Sequence, residues 1–313
     1  MTSTDEVLMG REGDTAVLTL NRPRALNALT QGMCEVLLDA LEGFAEDDSI
    51  AAVRVQGAGE RAFCSGADVR GIRERILAGQ DVTPFFLAEY RLNSFIAHYP
   101  KPYEARMSGI VMGGGLGVSA HGSRRLVDAS SVLAMPETII GFTPDVGIAW
   151  QLSHAPGELG THVGLTGDAF GAGDALALGL ADEYAGDGAP ESPLAAASWI
   201  AECYAGDDPV AIVRRLESHP HPDARAAAAT LRLRCPFSVA VTLEALRRAA
   251  SMAGVDEVLA QDLVLVGALL PRPDFAEGVR AQLVDKDRAP RWQHARLEDV
   301  DPADVLACFA PRG

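Results

Sequence analysis

Three short segments carry residue types that could stabilise and act on a developing negative charge. The first is Gly113-Gly114-Gly115-Leu116-Gly117, with four glycines in five positions. Such a run tolerates positive φ and lets the backbone come close to a ligand. If a helix starts there, its free N–H groups and its dipole favour an anion. Taken alone, the glycines serve equally well as a tight turn where a helix crosses a strand. Gly115-x-Gly117-x-x-Ala120 also fits a loose dinucleotide fingerprint, but it sits in mid-chain and lacks the acidic residue expected about 20 positions later. No GK[ST] occurs, which excludes a Walker-type phosphate loop.

The second segment is AFCSGADV, residues 62–69, where Gly66 permits a turn and the following N–H groups could converge on one point. On its own it is a plain strand-to-helix turn. Beside the first loop it gains weight, because an oxyanion hole needs two N–H donors arriving from different segments. Cys64 has no His–Asn or His–Asp arrangement to activate it and is expected to be a small buried thiol. The third segment is MPETIIGFTPDVG, residues 135–147, in which Glu137 and Asp145 each follow a proline in an apolar stretch. In a dry pocket two such carboxyls separate in pKa, so that one serves as base and the other as acid or anchor. The alternative is that both cap neighbouring helices. Glu89, in FFLAEYRLN, reads from its residues alone as a helix-surface glutamate paired with Arg91 or Lys101.

These segments must be held by a scaffold, and the chain supplies one. TAVLTL, Thr15–Leu20, reads as a strand, and Thr30 can cap a helix with apolar positions Met33, Val36, Leu37, Leu41 and Phe44. A second strand at 52–56 completes a strand–helix–strand rhythm, which implies parallel strands with helical crossovers. A helix is expected at 85–97, a strand at Tyr103–Met107, short strands at 125–128 and 132–135, and a helix from Asp145 to Leu152. Past Gly171 strand signals nearly vanish and helical spacing takes over, with helices at 238–250 and 255–270 and an exposed linker at 186–193. Arg247-Arg248 is expected on a solvated helix face. The division this suggests is 1–185 for an α/β core and 186–313 for a helical region.

The 313 residues suffice for a large core, and 48% apolar with 22% charged residues is ordinary for a globular chain. The net charge of −16 argues against nucleic acid, and an anionic small molecule would need cations gathered locally. The five cysteines are scattered without a CxxC pair, and the histidines show no ligand spacing, which argues against a zinc site and a disulfide framework. No long apolar run suggests a membrane span, and the acidic start MTSTDEVLMGREGD resembles neither a secretory signal nor a mitochondrial presequence. The expectation is a cytoplasmic protein with no membrane and no metal.

NRPRALNAL, AFCSGADV and MGGGLG, in this order and spacing, resemble the crotonase (enoyl-CoA hydratase/isomerase) superfamily over nearly the whole chain. Within it, FFLAEYRLN, KPY, GGGLGVSAHG, AMPETIIGFTPDVG and FAEGVRAQLVDKDRAPRW are most similar to the group that hydrolyses 3-hydroxyisobutyryl-CoA. The resemblance implies a spiral of ββα units followed by helices. It implies that Ala67 and Gly114 supply the oxyanion N–H groups, that Glu137 is the main catalytic carboxylate, and that Asp145 lies near the acyl carbon. It also implies that Glu89 binds the acyl 3-hydroxyl and that Ser65, Asp68 and Gly113 contact substrate. Coenzyme A is then part of the substrate, with no separate cofactor, and trimers, hexamers or a monomer are all compatible. Typical hydratases carry a second glutamate where this chain has Gly117, and addition of water across a double bond needs acid and base at both carbons. That absence favours hydrolysis over hydration or isomerisation, and over a non-catalytic CoA-binding subunit. Two departures stand out. Glu104 and Arg106 interrupt a usually apolar strand, and Ile148-Ala149-Trp150 replaces small residues and is expected to narrow the acyl pocket.

Overall fold

In the computed structural model, which describes residues 4–310, the chain winds between two sheets. The larger has six strands: β1 (Val7–Glu12), β2 (Thr15–Leu20), β3 (Ala52–Gly57), β5 (Tyr103–Met107), β7 (Arg124–Val127) and β9 (Glu183–Tyr184), in that spatial order. The smaller holds β4 (Ala62–Cys64), β6 (Ile110–Met112) and β8 (Val132–Ala134). Each turn of chain therefore leaves one strand in each sheet, which is the ββα spiral. All pairings are parallel except the β1–β2 hairpin. Strands in the middle of such a sheet are covered on both faces, and β2 is buried accordingly at Ala16, Val17, Leu18 and Leu20.

Local chemistry sets the crossovers. Thr30 caps α1 (Gln31–Glu46) by accepting from the Met33 N–H at 3.2 Å, and Met33, Leu37 and Leu41 bury the helix against the sheet. Before it, Asn27 is fully buried and donates to the Ala58 and Ala62 carbonyls while accepting from the Arg22 N–H, tying the NRPRALNAL turn to β4. The charges in β5 are not a defect. In register with Arg54 on one side and Arg124 on the other, Glu104 pairs with both at 2.6 Å and with Arg106 at 3.0 Å.

Four further helices matter for the site: α2 (Val69–Leu77), α3 (Thr83–Ala97), the single turn α4 (Gly114–Gly117) and α5 (Ala149–His154). The helix expected from Asp145 begins only at Ala149. Val146 and Gly147 have φ of 54° and 76°, so residues 146–147 form a left-handed turn that no helix can include. Beyond β9 the described chain is helical, with α6 (Pro236–Ala249), α7 (Val255–Leu269) and α8 (Pro273–Val279) lying nearest the site. Arg247 is not on a merely solvated face. It joins α6 to Glu158 and Asp207 and donates to the Tyr204 and Gly206 carbonyls. Among the described residues no helix is long and apolar enough to cross a membrane.

Candidate active site

A cavity of about 940 Å³ opens between the second turn of the spiral and the C-terminal helices. Ser65, Ala67, Asp68, Glu89, Gly113, Gly114, Glu137 and Asp145 all line it. The two glycine loops meet there. Gly66 turns at φ 99° and Gly113 at φ 50°, and a β-carbon placed on Gly66 would lie 3.4 Å from the Gly114 nitrogen. The Gly114 N–H begins α4 and Ala67 ends the AFCSGA turn, and neither N–H has a protein acceptor among the described residues. Two unpaired donors on adjacent loops are what an oxyanion requires. Glycine is needed at 114 because a β-carbon there would strike Glu89 Oε1, and one at 113 would come within 2.9 Å of Glu137 Oε1. The donor pair is thus flanked by Glu89 and Glu137.

None of the three carboxyls caps a helix. Glu137 opens the 3-10 turn Glu137–Ile139 with no capping bond, and its Oε2 is buried without a partner. Glu89 faces inward from α3 with Oε1 likewise unpaired, so it is no surface glutamate. Lys101 instead donates to the Phe44 and Asp47 carbonyls. Asp145 accepts a 2.6 Å hydrogen bond from the Tyr90 hydroxyl. Burial raises Glu89 and Glu137 well above the usual carboxyl range, and the neighbouring charge of Asp145 pushes each further. Burial lifts Asp145 to about 7, against the opposing pull of the Tyr90 hydroxyl. Tyr90 is itself held far above its ordinary value by burial, so it remains a donor.

The position that would carry a second hydratase carboxylate is closed. A β-carbon on Gly117 would meet Val146 Cβ at 2.8 Å and Asn93 Nδ2 at 2.9 Å. Ile148, Ala149 and Trp150 do not line the cavity, contrary to expectation. Ile148 and Ala149 are buried behind it and the Trp150 ring rests on His154, 4.2 Å between centroids. An apolar wall of the cavity is formed instead by Phe86, Phe142 and Phe275, whose rings follow one another at 6.1 and 6.0 Å. Asp68 accepts from the Gly71 N–H to cap α2 and pairs with Arg22 at 3.3 Å, which places it on the cavity wall in a structural role as well. Cys64 is buried and its thiol is pushed up to about 12, so it is no thiolate nucleophile.

The sequence reading singled out neither Tyr90 nor the individual C-terminal residues that line the cavity. Phe275, Gln282, Leu283 and Lys286 reach the cavity from α8 and the turn after it. Arg24 and Arg70 line the same cavity as Lys286, and none of these three cations forms an ion pair among the described residues. An exposed, unpaired cation trio at one mouth of a chain with net charge −16 was the local basic gathering an anionic ligand needs. No group of three or more His, Cys, Asp or Glu among the described residues could hold a metal ion.

A family model described as enoyl-CoA hydratase/isomerase matches residues 15–190 and 185–309. The mitochondrial 3-hydroxyisobutyryl-CoA hydrolase of Gallus gallus is 33% identical over 348 aligned positions, covering 99% of this chain and 90% of the relative. Its Homo sapiens counterpart is 34% identical, covering 99% and 89%. Among solved structures, a carnitinyl-CoA dehydratase from Mycobacterium thermoresistibile superposes with TM-score 0.95 at 43% identity, covering 98% of this chain and 97% of that one. An enoyl-CoA hydratase from Rhodobacter sphaeroides 2.4.1 gives 0.93 at 37%, with the same shares.

Proposed function

Because the chain belongs to the enoyl-CoA hydratase/isomerase family, we propose that it hydrolyses an acyl-CoA thioester, with 3-hydroxyisobutyryl-CoA, an intermediate of valine breakdown, as the preferred substrate. The observation that carries this reading is the closed space at Gly117 beside an intact donor pair and Glu137. One carboxylate next to an oxyanion hole serves acyl transfer, whereas hydration asks for a second group where Val146 now packs.

In this reading the thioester oxygen accepts from the Ala67 and Gly114 N–H groups, each contributing roughly 2.7–4 kcal/mol to the transition state. Glu137 acts in its ionised form, which burial disfavours and which is the stronger base for that reason: it takes a proton from the attacking water, or attacks the carbonyl itself to form a mixed anhydride that water then opens. The carbon–sulfur bond breaks, and the CoA thiolate leaves with the proton that Glu137 took from the water or, on the anhydride route, with one from Asp145 that the hydrolytic water later restores. Asp145, held by Tyr90, orients the water or assists that departure. Glu89, whose neutral form burial favours, offers a hydrogen bond to a 3-hydroxyl, for which its unpaired Oε1 is suited. Lys286, Arg24 and Arg70 would meet the phosphates of CoA at the mouth.

A lyase reading is favoured by the names of the two solved structures described above. The two are separated by supplying 3-hydroxyisobutyryl-CoA and crotonyl-CoA to the purified chain. Thiol release from the first, without loss of conjugated absorbance from the second, supports hydrolysis. The reverse pattern overturns it, and tight CoA binding without either reaction marks a non-catalytic CoA-binding protein.

A further inference from the structure

The turn that carries Asp145 is held from outside the cavity by a residue that plays no part in the chemistry above. We infer that Asp262, on α7, is a positioning residue: it holds the main chain at Gly147 and thereby sets where the Asp145 carboxylate sits. A β-branched residue at positive φ is strained by about 1–3 kcal/mol and persists only where its surroundings dictate it. Val146 is such a residue, at φ 54°, directly after Asp145.

Two hydrogen bonds dictate the turn, one on each side. The Gly147 N–H donates to Asp262 Oδ2 at 2.8 Å. On the other side, His121 Nε2 lies 2.7 Å from the Val146 carbonyl, and Gln151 Nε2 lies 2.9 Å from His121 Nδ1. With Nδ1 accepting from the amide, Nε2 carries the proton and donates to the carbonyl. Burial lowers His121 to about 4, so the ring stays neutral and keeps this tautomer. Between the two clamps the turn closes on itself, with the Ile148 N–H donating to the Asp145 carbonyl at 3.0 Å.

The cost of Asp262 argues that this hydrogen bond is its task. It is wholly buried in the apolar run of α7, and its second oxygen, Oδ1, has no partner. A half-satisfied buried carboxyl is expensive, and a leucine of nearly the same shape would pack there without that penalty. The single described hydrogen bond made by its side chain goes to the residue two positions after Asp145. The same helix is tied to α3 through Ser94 Oγ, which donates to Asp256 Oδ1 at 2.7 Å. Helix α7 therefore registers both walls of the acyl end, the Glu89–Tyr90 wall and the Asp145 turn, against each other.

This inference rests on Asp145 acting in the proposed reaction, so it is tested on whichever acyl-CoA reaction the wild-type chain turns over. Failure of hydrolysis in the wild type is thereby kept apart from failure of the clamp. Asp262→Leu and Asp262→Asn are compared with wild type, alone and in an Asp145→Asn background. Asp262→Leu should lower kcat about tenfold to a hundredfold while CoA affinity, read by calorimetry, stays within about twofold. Asp262→Asn, which keeps an acceptor for Gly147, should recover most of kcat. In the Asp145→Asn background, Asp262→Leu should cost nothing further. The clamp is overturned by unchanged kcat in Asp262→Leu, by a parallel loss of CoA affinity, or by an equal loss in both backgrounds. Should Asp262→Leu fail to fold, Asp262→Ala takes its place with the same criteria.

Discussion

Asp145→Asn should make the protein more stable at pH 8 and no more stable at pH 4. The fold raises this carboxyl from 3.8 to about 7, chiefly by burial. A group raised in this way favours the fold fully below its unfolded pKa, and that contribution is lost as pH rises through the folded value. Between pH 3.8 and about 7 the wild type should therefore lose roughly 4 kcal/mol, at about 1.4 kcal/mol for each pH unit of displacement. Asparagine does not titrate, so it escapes that loss. It still accepts from Tyr90, and the preference of that hydrogen bond for the ionised carboxylate is already contained in the value of about 7. The net gain at pH 8 is therefore roughly 4 kcal/mol. For a chain of this size about 2 °C accompanies each kcal/mol, so Tm should rise by about 8 °C at pH 8. At pH 4 the carboxyl is protonated in the folded state and the gain should vanish. Thermal unfolding followed by calorimetry at both pH values reads this directly, with turnover measured on the same samples. Equal Tm shifts at the two pH values, or a lower Tm at pH 8, would refute the reasoning. A variant that is firmer yet inactive is the expected sign of a group kept for chemistry at the expense of stability.

Four other outcomes follow from the same geometry. Glu137→Gln should lower kcat by about 10²–10⁴ with CoA affinity nearly intact, and near-normal turnover would sink the assigned role. Gly117→Ala forces a methyl to within 2.8 Å of Val146 Cβ, so it should cost about 1–3 kcal/mol in denaturant unfolding. By the same crowding, Gly117→Glu should create no hydration of crotonyl-CoA. Lys286→Ala and Arg24→Ala should raise KM without lowering kcat, and the difference from wild type should shrink at high salt. A kcat effect would move those cations from the mouth to the reacting centre.

Much of the site could be read from residue order because its chemistry is local. The glycine loops, Glu137 and Asp145 each announce themselves by composition and by a preceding proline or glycine, and the strands Thr15–Leu20 and Tyr103–Met107 fall where they were expected, the first on its run of β-branched and apolar residues. Glu89 was different. Its neighbours Arg91 and Lys101 are plausible partners along the sequence, and only the packing of α3 against the glycine turn buries it. The start of α5 was misplaced for a similar reason, since Val146 has no intrinsic preference for positive φ and takes it because Asp262 and His121 hold it there. Asp262 did leave a trace, as a lone acid inside the apolar run VLAQDLVLVGALL. Tyr90 left none, because a tyrosine beside a buried glutamate is indistinguishable from ordinary core.

The C-terminal helices help to build the candidate site, and the bonds that join them to the spiral explain how. Gly278 packs so closely on Ile140, and Gly141 on Asp274, that a β-carbon at either would strike the opposing backbone. The Cys235 N–H donates to the Thr138 carbonyl at 3.0 Å, one residue after Glu137. Arg73 on α2 donates to the Ala276 carbonyl at 2.8 Å, so the helix following the oxyanion loop is anchored to α8. The buried apolar residues of both regions form one continuous cluster. A chain ending near residue 185 would lose Phe275 from the apolar wall of the cavity, Lys286 from its rim and Asp262 from the Asp145 turn. It would keep the Ala67 and Gly114 N–H groups and Glu137, yet leave them open to water, where each hydrogen bond to a developing charge is worth far less. The helical region thus supplies the dry surroundings in which the glycine loops and the carboxyls can act.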